Sequence, residues 1–444
     1  MCGIVGAITH RPVGSILLEG LQRLEYRGYD SAGFAVLDAT GEMQRLRRVG
    51  KVRELKSAQA ETGLNGVVGI AHTRWATHGK PTQQNAHPHT SGSSVAVVHN
   101  GIIENHSELR KKLKEAGYNF ESETDTEVVA HLVDQKVKEQ DNLLEGFKLA
   151  LSELQGAYAI AVLHKDYPDR IVAARVGSPL VVGLGFGENF IASDPQALRP
   201  VTDRFIFLEE GELVEVTCDE ILIYGVNSLS VVDRTIKLDG DNDATDKGQY
   251  RHYMIKEINE QPDAIRATLE GRISSDHVLP NIFGVGADEC FAKTEAVHIV
   301  ACGSSFYTGL IAKYWFEEYA GLPCQVEIAS EFRYRTVAVP KNTLLVTISQ
   351  SGETADTLAA LREAKGRYVA SLCLCNVPNS SLMRESDYSL LIKAGPEICV
   401  ASTKAFTTQL ADLLLLVLAI GKFSGLDENT AKELTAALQG VPAL

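Results

Sequence analysis

A cysteine directly behind the first methionine is the residue whose type and position most clearly suggest chemistry. The sequence begins MCGIVGAI, so removal of Met1 would place the Cys2 thiol beside a free α-amine. An α-amine has an unperturbed pKa of about 7.7–8.0 and can act as a general base near neutral pH. One residue would then supply both nucleophile and base. From position alone, an incidental or buried cysteine is the alternative.

Four further residues offer what a thiol needs in order to attack an amide. Asn100 and the backbone N–H of Gly101 could stabilise an oxyanion, although Asn-Gly is also a common hairpin turn. Arg74 could hold a carboxylate in a bidentate fork. Asp125 could bind an ammonium group, or it could cap the helix that follows it. Together they describe a site for an α-amino acid whose side chain carries an amide.

The second half of the chain contains three hydroxyl-rich stretches, each next to a predicted strand or helix start. They are ACGSSFYTG, SQSGETADT at 349–357 and ASTKAFTTQ at 401–409. Backbone N–H groups and hydroxyls at helix N-termini bind phosphate. Three such clusters in one α/β sheet indicate a phosphosugar site, whereas each stretch alone is also explained as a helix N-cap.

Composition restricts the class of protein. The chain has 444 residues, 45% of them hydrophobic, and a net charge of -14 without a basic segment, which argues against nucleic-acid partners. We expect no membrane partner, no secretory signal and a cytoplasmic location, because no apolar run reaches the roughly 18 residues of a membrane span. The eight scattered cysteines read as reduced thiols. His87 and His89 lack an evident third ligand, so we expect no metal and no cofactor.

The order of predicted elements divides the chain into two halves. Short strand-like runs and helical periods at 13–25, 105–117 and 126–138 predict a β-rich α+β domain over residues 2–238. Residues 239–252 begin with a polar, acidic stretch and are interpreted as a linker. In residues 253–444, strand-like runs alternate with helical segments. This alternation predicts a doubly wound parallel sheet of flavodoxin type. The predicted elements are a helix over 253–271, strands at 297–301, 324–328, 343–348, 368–374 and 388–392, and closing helices at 403–422 and 427–439.

Six short stretches of the first half also carry a family resemblance. MCGIVG, LEYRGYDSAG, HTRWATHG, HPH, HNGIIEN and SETDTE resemble the class II glutamine amidotransferases, which are N-terminal-nucleophile hydrolases. LEYRGYDSAG and TRWATHGKP are similar to the glutaminase domain of the glutamine–fructose-6-phosphate aminotransferase family. The resemblance implies a four-layer αββα fold for the first domain. It also implies that Cys2 attacks the γ-amide of glutamine, that its α-amine shuttles the proton, and that Asn100 and Gly101 form the oxyanion hole.

The same resemblance implies roles for further residues around the glutamine. Arg74 would hold the α-carboxylate and Asp125 the α-amine. The pocket would be lined by Thr77 and His78, Arg27 and His87 would lie near the closing part of the site, and Trp75 would gate ammonia transfer.

In the second half, SQSGETADT and VASTKAFTTQL resemble a sugar isomerase (SIS) domain, which implies a three-layer αβα fold. The residues implied to bind the sugar phosphate are Ser304, Ser349, Gln350, Ser351 and Thr354, with Ser402 nearby. The ammonia would convert fructose 6-phosphate to glucosamine 6-phosphate, in a homodimer formed through the SIS region. No second strand–SGE–helix repeat follows. We therefore expect that a C-terminal SIS domain is missing, and that the chain hydrolyses glutamine without making glucosamine 6-phosphate unaided.

Two other classes of function remain open from the sequence. One is a different class II enzyme, such as an asparagine synthetase or a phosphoribosyl amidotransferase, which would need an ATP or pyrophosphate loop that we do not find. The other is a non-catalytic phosphosugar-binding regulator, which would tolerate loss of Cys2, Asn100 or Arg74. A thiol protease is less consistent still, because no Cys/His pair sits in a recognisable protease context.

Overall fold

The chain divides into two compact units, residues 1–243 and 244–444, each with its own hydrophobic core. The computed structural model describes residues 2–25, 29–38, 40–75, 79–225, 231–238, 247–274, 276–279, 281–399 and 401–444. The division falls inside the linker predicted at 239–252, of which 239–246 lies outside the described residues. The domain limits proposed from the sequence stay predictions.

Two antiparallel sheets form the first unit. Its strands are β1 (Gly3–Ile8), β2 (Ser31–Leu37), β3 (Met43–Val49), β4 (Val68–Arg74), β5 (His89–Ser91), β6 (Val95–Ile103), β7 (Gly156–His164), β8 (Ile171–Val176), β9 (Val181–Leu184), β10 (Asn189–Ala192), β11 (Arg204–Phe207), β12 (Leu213–Val216), β13 (Ile221–Tyr224) and β14 (Ile236–Lys237). The eight-stranded sheet has the order β14-β11-β9-β10-β1-β4-β2-β3, and the six-stranded sheet has the order β13-β12-β8-β7-β6-β5.

Helices cover the outer face of each sheet. They are α1 (Gly14–Leu24), α2 (Val52–Thr62), α3 (His106–Glu115), α4 (Thr126–Gln140), α5 (Leu143–Glu153) and the single turn α6 (Val231–Arg234). The first two pack on the eight-stranded sheet, and α3 to α5 pack on the six-stranded one. A third apolar cluster fills the space between the sheets. The predicted four-layer αββα architecture is confirmed.

Two parts of the first unit differ from the sequence-based prediction. The apolar pattern of FIFLEEGELVEV (205–216) predicts one strand-like run, but the structure has two strands there, β11 and β12, which lie in different sheets. The strand β3 and the helices α2 and α5 were not predicted. In β3, MQRLRRV is a sheet-edge strand in which only Leu46 is buried, so it lacks the alternation that marks a half-buried strand.

A five-stranded parallel sheet forms the second unit, with the order β16-β15-β17-β18-β19. The strands are β15 (Ala296–Ala301), β16 (Cys324–Ile328), β17 (Thr343–Ser349), β18 (Ala370–Cys375) and β19 (Tyr388–Leu391). Numbered within the unit this order is 2-1-3-4-5, that of flavodoxin-like folds.

Helices pack on both faces of this sheet. They are α7 (Tyr253–Asn259), α8 (Gln261–Leu269), α9 (Ala287–Phe291), α10 (Gly303–Tyr319), α11 (Ala329–Phe332), α12 (Ala355–Ala364), α13 (Ser381–Glu385), α14 (Lys404–Ser424) and α15 (Glu428–Gly440). Residues of α8, α9, α10 and α14 share one apolar cluster, and those of α11, α12 and α13 share another. The predicted three-layer αβα fold is confirmed. The helix predicted over 253–271 is two helices, because Pro262 begins α8 and cannot continue α7.

Helix α14 is the one described helix that is long and apolar enough to cross a membrane by length and composition, with a mean hydropathy of 1.6. In the structure, 61% of that stretch is buried inside the protein. It also carries Asp412, which is fully buried and forms a 2.7 Å ion pair with Arg272. These contacts identify α14 as a core helix of the second unit.

Candidate active site

The residues with catalytic potential in the first unit gather at one end of the space between its two sheets. Along β4, Ile70 belongs to the apolar cluster between the sheets, and the two-residue period of a strand sends His72 and Arg74 to the same face. Ile4 of β1 belongs to the same cluster, and Cys2 lies two residues before it. The pairing of Gly3 with Thr73 therefore brings Cys2 level with Arg74.

The thiol of Cys2 contacts the chain just after β4. Its Sγ accepts a hydrogen bond from the Trp75 N–H at 3.2 Å. Burial raises the pKa of the Cys2 thiol and Asp30 raises it further, whereas the Trp75 hydrogen bond and the charge of Arg74 lower it. Because the net shift is upward, the thiol is protonated at neutral pH and requires a base before it can attack.

Asn100 approaches Cys2 from the other sheet. In β6, Val98 belongs to the cluster between the sheets, so Asn100 points into the same space. Its Nδ2 donates to the Cys2 carbonyl oxygen at 3.3 Å, and its Oδ1 lies 3.0 Å from His72 Nε2. The hairpin-turn alternative for Asn100 and Gly101 is wrong, because β6 continues through both residues to Ile103.

Gly101 occupies a backbone conformation that other residues avoid. Its φ is +129°, and a Cβ built on it would lie 2.0 Å from the carbonyl oxygen of Ala157 on β7. A side chain at this position would therefore force β6 away from β7. The requirement for glycine therefore comes from the positive φ and from the close approach of β7 next to Asn100.

Arg74 is buried, with 4% of its surface exposed. Its guanidinium donates to the carbonyl oxygens of Gly79 and Lys80 at 3.4 and 3.3 Å, and it lies 3.8 Å from the Asp30 carboxylate. These contacts fix the orientation of the Arg74 guanidinium group. Asp30 was not singled out from the sequence, although it lies within the stretch LEYRGYDSAG; its importance appears only when β2 pairs with β4.

Asp125 does not cap α4, which corrects the capping alternative. Its side chain makes no capping hydrogen bond, and its Oδ2 instead accepts the Ile103 N–H at 2.9 Å. It is 4% exposed. The carboxylate is thereby held at the end of β6, two residues beyond Gly101.

The residues predicted to close the site have different surroundings. Trp75 is 52% exposed directly after β4. His87 is buried and stacks on His72, with ring centroids 4.0 Å apart, and burial is the main cause that lowers its pKa well below the ordinary value. Arg27, Thr77 and His78 lie outside the described residues. The roles predicted for these five residues stay predictions.

In the second unit, two of the three hydroxyl-rich stretches begin at the same edge of the parallel sheet. The ends of β15 and β17 are paired, Ala301 with Ile348, so α10 and the loop after β17 start side by side. Ser304 lies partly exposed in the first turn of α10. This edge is the point where the strand order reverses, and ligands of such sheets bind there.

The loop after β17 is shaped by its own hydroxyl groups. Ser349 Oγ accepts the Gly352 N–H at 2.9 Å and lies 3.2 Å from Thr354 Oγ1. Ser351 Oγ accepts the Glu353 N–H at 3.2 Å. Gln350, Ser351 and Thr354 are partly exposed, and Ser349 is buried.

The third stretch is arranged differently from the prediction. Ser402 Oγ donates to the Glu397 carboxylate at 2.9 Å, and Glu397 Oε1 accepts the backbone N–H groups of Thr403 and Ala405 at 2.8 and 3.0 Å. A carboxylate of the chain itself therefore satisfies donors that the sequence suggested for phosphate. Glu397 was missed because it lies five residues before Ser402, outside the hydroxyl-rich stretch. The predicted place of Ser402 near the sugar phosphate stays a prediction.

A metal site would need several ligating side chains close together. Within the part of the chain that the structure describes, no group of three or more His, Cys, Asp or Glu residues could hold a metal ion. His87 and His89 pack edge to face at 4.8 Å, and His89 Nε2 lies 3.0 Å from Thr124 Oγ1.

Comparison with known proteins identifies two family domains in the chain. A family model described as a glutamine amidotransferase domain matches residues 72–200, and one described as an SIS domain matches residues 291–419. A Pseudomonas putida protein named glutamine–fructose-6-phosphate aminotransferase [isomerizing] is 58% identical over 444 residues, which is 100% of this chain and 73% of that protein. The chain belongs to the glutamine–fructose-6-phosphate aminotransferase family.

Other relatives fit the same family. The aminotransferase of the same name from Escherichia coli K12 is 57% identical, again over 100% of this chain and 73% of its own length. The solved C-terminal domain of the Francisella tularensis glucosamine-fructose-6-phosphate aminotransferase is 50% identical over 45% of this chain and 57% of that chain, with a TM-score of 0.44. Family membership excludes the asparagine synthetase and phosphoribosyl amidotransferase alternatives.

The SIS match also corrects one expectation. The sequence led us to expect a chain without its C-terminal SIS domain, but an SIS domain occupies residues 291–419 of the second unit. The SIS domain predicted within residues 253–444 is thus present, and the expectation that a C-terminal SIS domain is missing is partly wrong.

Proposed function

We propose that Cys2 is the nucleophile that releases ammonia from glutamine for the amination of fructose 6-phosphate. The observation that carries this proposal is the convergence of the Cys2 thiol, the Arg74 guanidinium and the Asn100 amide at one end of the space between the sheets. A non-catalytic regulator would tolerate the loss of one of these groups, but all three are present. Asn100 Nδ2 lies 3.3 Å from the Cys2 carbonyl oxygen, and the charge of Arg74 acts on the Cys2 thiol.

The chemistry follows from the groups at this end of the sandwich. After removal of Met1, the α-amine of Cys2 accepts the thiol proton, and Sγ forms a bond to the γ-carbonyl carbon of glutamine. The Asn100 Nδ2 and the Gly101 N–H donate to the oxyanion that develops on the carbonyl oxygen. The intermediate collapses with cleavage of the C–N bond, and the α-amine returns the proton to the departing ammonia. Water then hydrolyses the thioester to give glutamate and restore the thiol.

The remaining residues of the first unit hold the substrate. Arg74 pairs with the α-carboxylate of glutamine. Its guanidinium group is held in one orientation by hydrogen bonds to the carbonyl oxygens of Gly79 and Lys80. Asp125 receives the α-ammonium. Thr77 and His78 line the pocket, and Arg27, Trp75 and His87 serve the closed state in which ammonia is transferred.

In the second unit, the loops at the carboxyl ends of β15 and β17 bind the phosphate of fructose 6-phosphate. The proposed ligands are Ser304, Ser349, Gln350, Ser351 and Thr354, with Ser402 nearby. Support comes from the position of these loops at the strand-order reversal and from their partly exposed hydroxyl and N–H donors. Amination of fructose 6-phosphate gives glucosamine 6-phosphate, and we propose no cofactor for it; that this chain does not make the product unaided stays a prediction.

A homodimer through the SIS region is part of the same proposal. On α10, Tyr307, Ile311 and Tyr314 are 61%, 36% and 67% exposed and follow the spacing of one helix face. Exposed apolar stripes of this kind mark protein interfaces. Sedimentation of Tyr314→Glu should show monomers, whereas Tyr334→Glu, which alters a comparably exposed tyrosine outside α10, should leave the dimer intact. A cytoplasmic location is supported by eight free cysteines.

The test of the nucleophile uses Cys2→Ala with Cys218→Ala as its matched control. Cys2→Ala should abolish glutamate release from glutamine and leave binding of fructose 6-phosphate, measured by calorimetry, within about twofold of the original protein. Cys218→Ala should retain both. Glutamine hydrolysis by Cys2→Ala, or an intact mass of active enzyme that still contains Met1, would refute the proposed chemistry.

A further inference from the structure

We propose that His72 is a positioning residue for the glutaminase reaction, which sets the orientation of the Asn100 side-chain amide. The proposal rests on the oxyanion role proposed for Asn100. His72 itself touches neither the thiol nor the reacting carbonyl in this arrangement. It acts through one hydrogen bond, between His72 Nε2 and Asn100 Oδ1 at 3.0 Å.

The contacts of Asn100 determine which way its amide faces. The Cys2 carbonyl oxygen, 3.3 Å from Asn100 Nδ2, is an acceptor only. The NH₂ group must therefore face Cys2, because the reversed amide would place two oxygens against each other. The amide oxygen then faces His72, so His72 must be a donor and carry its proton on Nε2.

His72 can supply this donor over the whole working range of pH. It is fully buried, and burial is the main cause that lowers its pKa to about 3, so the ring is neutral. Its Nδ1 is buried with no hydrogen-bond partner. The contacts of Asn100 therefore assign the His72 proton to Nε2.

A second histidine holds the His72 ring in place. His87 stacks on it with an interplanar angle of 14°, and His87 Nδ1 accepts the His99 N–H at 3.3 Å. The backbone at His87 approaches β2 closely, because a Cβ on Gly33 would lie 2.3 Å from the His87 carbonyl oxygen. Gly33 pairs directly with His72. The ring plane of His72, and with it the direction of its N–H, is therefore fixed by packing.

This arrangement has a kinetic consequence. An asparagine amide rotates with little preference between its two faces. Without His72, only the Cys2 carbonyl oxygen would oppose the reversed amide, and part of the population would present its amide oxygen instead of its NH₂ group to the developing oxyanion. Removal of one oxyanion donor lowers kcat by about 10²–10³-fold, so partial misorientation should lower it by about 10–100-fold. Glutamine binding should change little, because the oxyanion exists only in the transition state.

The test is a double-mutant cycle of His72→Leu and Asn100→Ala on the full chain, with glutamate release as the assay. His72→Leu should lower kcat by about 10–100-fold with KM for glutamine within about threefold. It should cause no further loss in the Asn100→Ala background. His72→Gln places an amide NH₂ near the position of Nε2 and should recover at least part of the loss.

A matched control separates positioning from folding. His131 is also a buried histidine, but its ring bonds to Ser91 Oγ at 2.9 Å and not to Asn100, so His131→Gln should keep the original kcat. The positioning role is refuted if His72→Leu keeps its kcat, if the two losses multiply, or if His72→Gln is no better than His72→Leu. Full activity of Asn100→Ala would instead refute the oxyanion role on which the inference rests.

Discussion

Replacement of Gly101 by alanine tests whether the close pairing of β6 with β7 at this residue is needed for catalysis. The added Cβ would lie 2.0 Å from the Ala157 carbonyl oxygen, about 1.4 Å closer than the 3.4 Å at which ordinary contacts begin. The φ of +129° is also far from the left-handed value near +57° that other residues adopt. Backbone strain of about 1–3 kcal/mol and overpacking of similar size should together cost about 2–6 kcal/mol locally.

Relief of this overlap should push β6 away from β7 and thereby move the Gly101 N–H and the Asn100 side chain away from Cys2. We therefore expect Gly101→Ala to lose hydrogen-exchange protection in β6 and β7 and to lower the kcat for glutamine hydrolysis by about 10²-fold. Gly92→Ala is the matched control, because Gly92 also has a positive φ, +55°, but no atom lies within 4 Å of the position of its Cβ. The control should cost about 1 kcal/mol and keep its kcat. Equal protection and equal kcat in the two variants would refute the reasoning.

Two further predictions concern the second unit. Burial raises the pKa of Asp412 from 3.8 to about 7. Between these two pH values, the folded state therefore keeps a proton on Asp412 that the unfolded state has lost. The free energy of unfolding should therefore fall by about 1 kcal/mol per pH unit as pH rises through this range, and Asp412→Asn should remove that slope in urea titrations; an unchanged slope would contradict the assignment. Ser349→Ala removes the acceptor of the Gly352 N–H and should weaken fructose 6-phosphate binding about tenfold in calorimetry. Ser386→Ala is the control, because the Ser386 hydroxyl donates to the Leu382 carbonyl oxygen of α13, and this variant should bind fructose 6-phosphate normally. Equal affinity of the two variants would argue against a role for the loop after β17.

Both folds were predictable because their strands are short and apolar and their turns carry glycine and polar residues. Strand β16 was predicted with the bounds found, and β15 and β17 differ by one residue. The charged strand β3 gave no such signal, since pairing with β2 stabilises it more than its own side chains do. The local sequence also made α7 and α8 look like one helix, although Pro262 in the first turn of α8 cannot continue α7.

The candidate site was predictable in its residue types but not in its local geometry. A hairpin turn stayed open as an alternative for Asn100 and Gly101, because nothing in the sequence shows that β7 pairs with β6 through both of them. Asp125 read as a helix cap, because its true partner, the Ile103 N–H, is 22 positions earlier in the chain. The same applies to His72 and Asn100, which are 28 positions apart. These contacts depend on the stacking of elements that are remote in sequence.

The placement of Cys2 and Asn100 on different sheets has a consequence for the newly synthesised chain. β1 lies between β4 and β10, and β6 lies between β5 and β7, so the two strands do not both have their neighbours until about residue 192 has left the ribosome. A nascent chain that ends earlier contains the nucleophile and its oxyanion donors but lacks a complete sandwich to hold them together. We therefore expect glutamine hydrolysis to begin only after about residue 192 has been made, and a chain that ends before this point should release no ammonia.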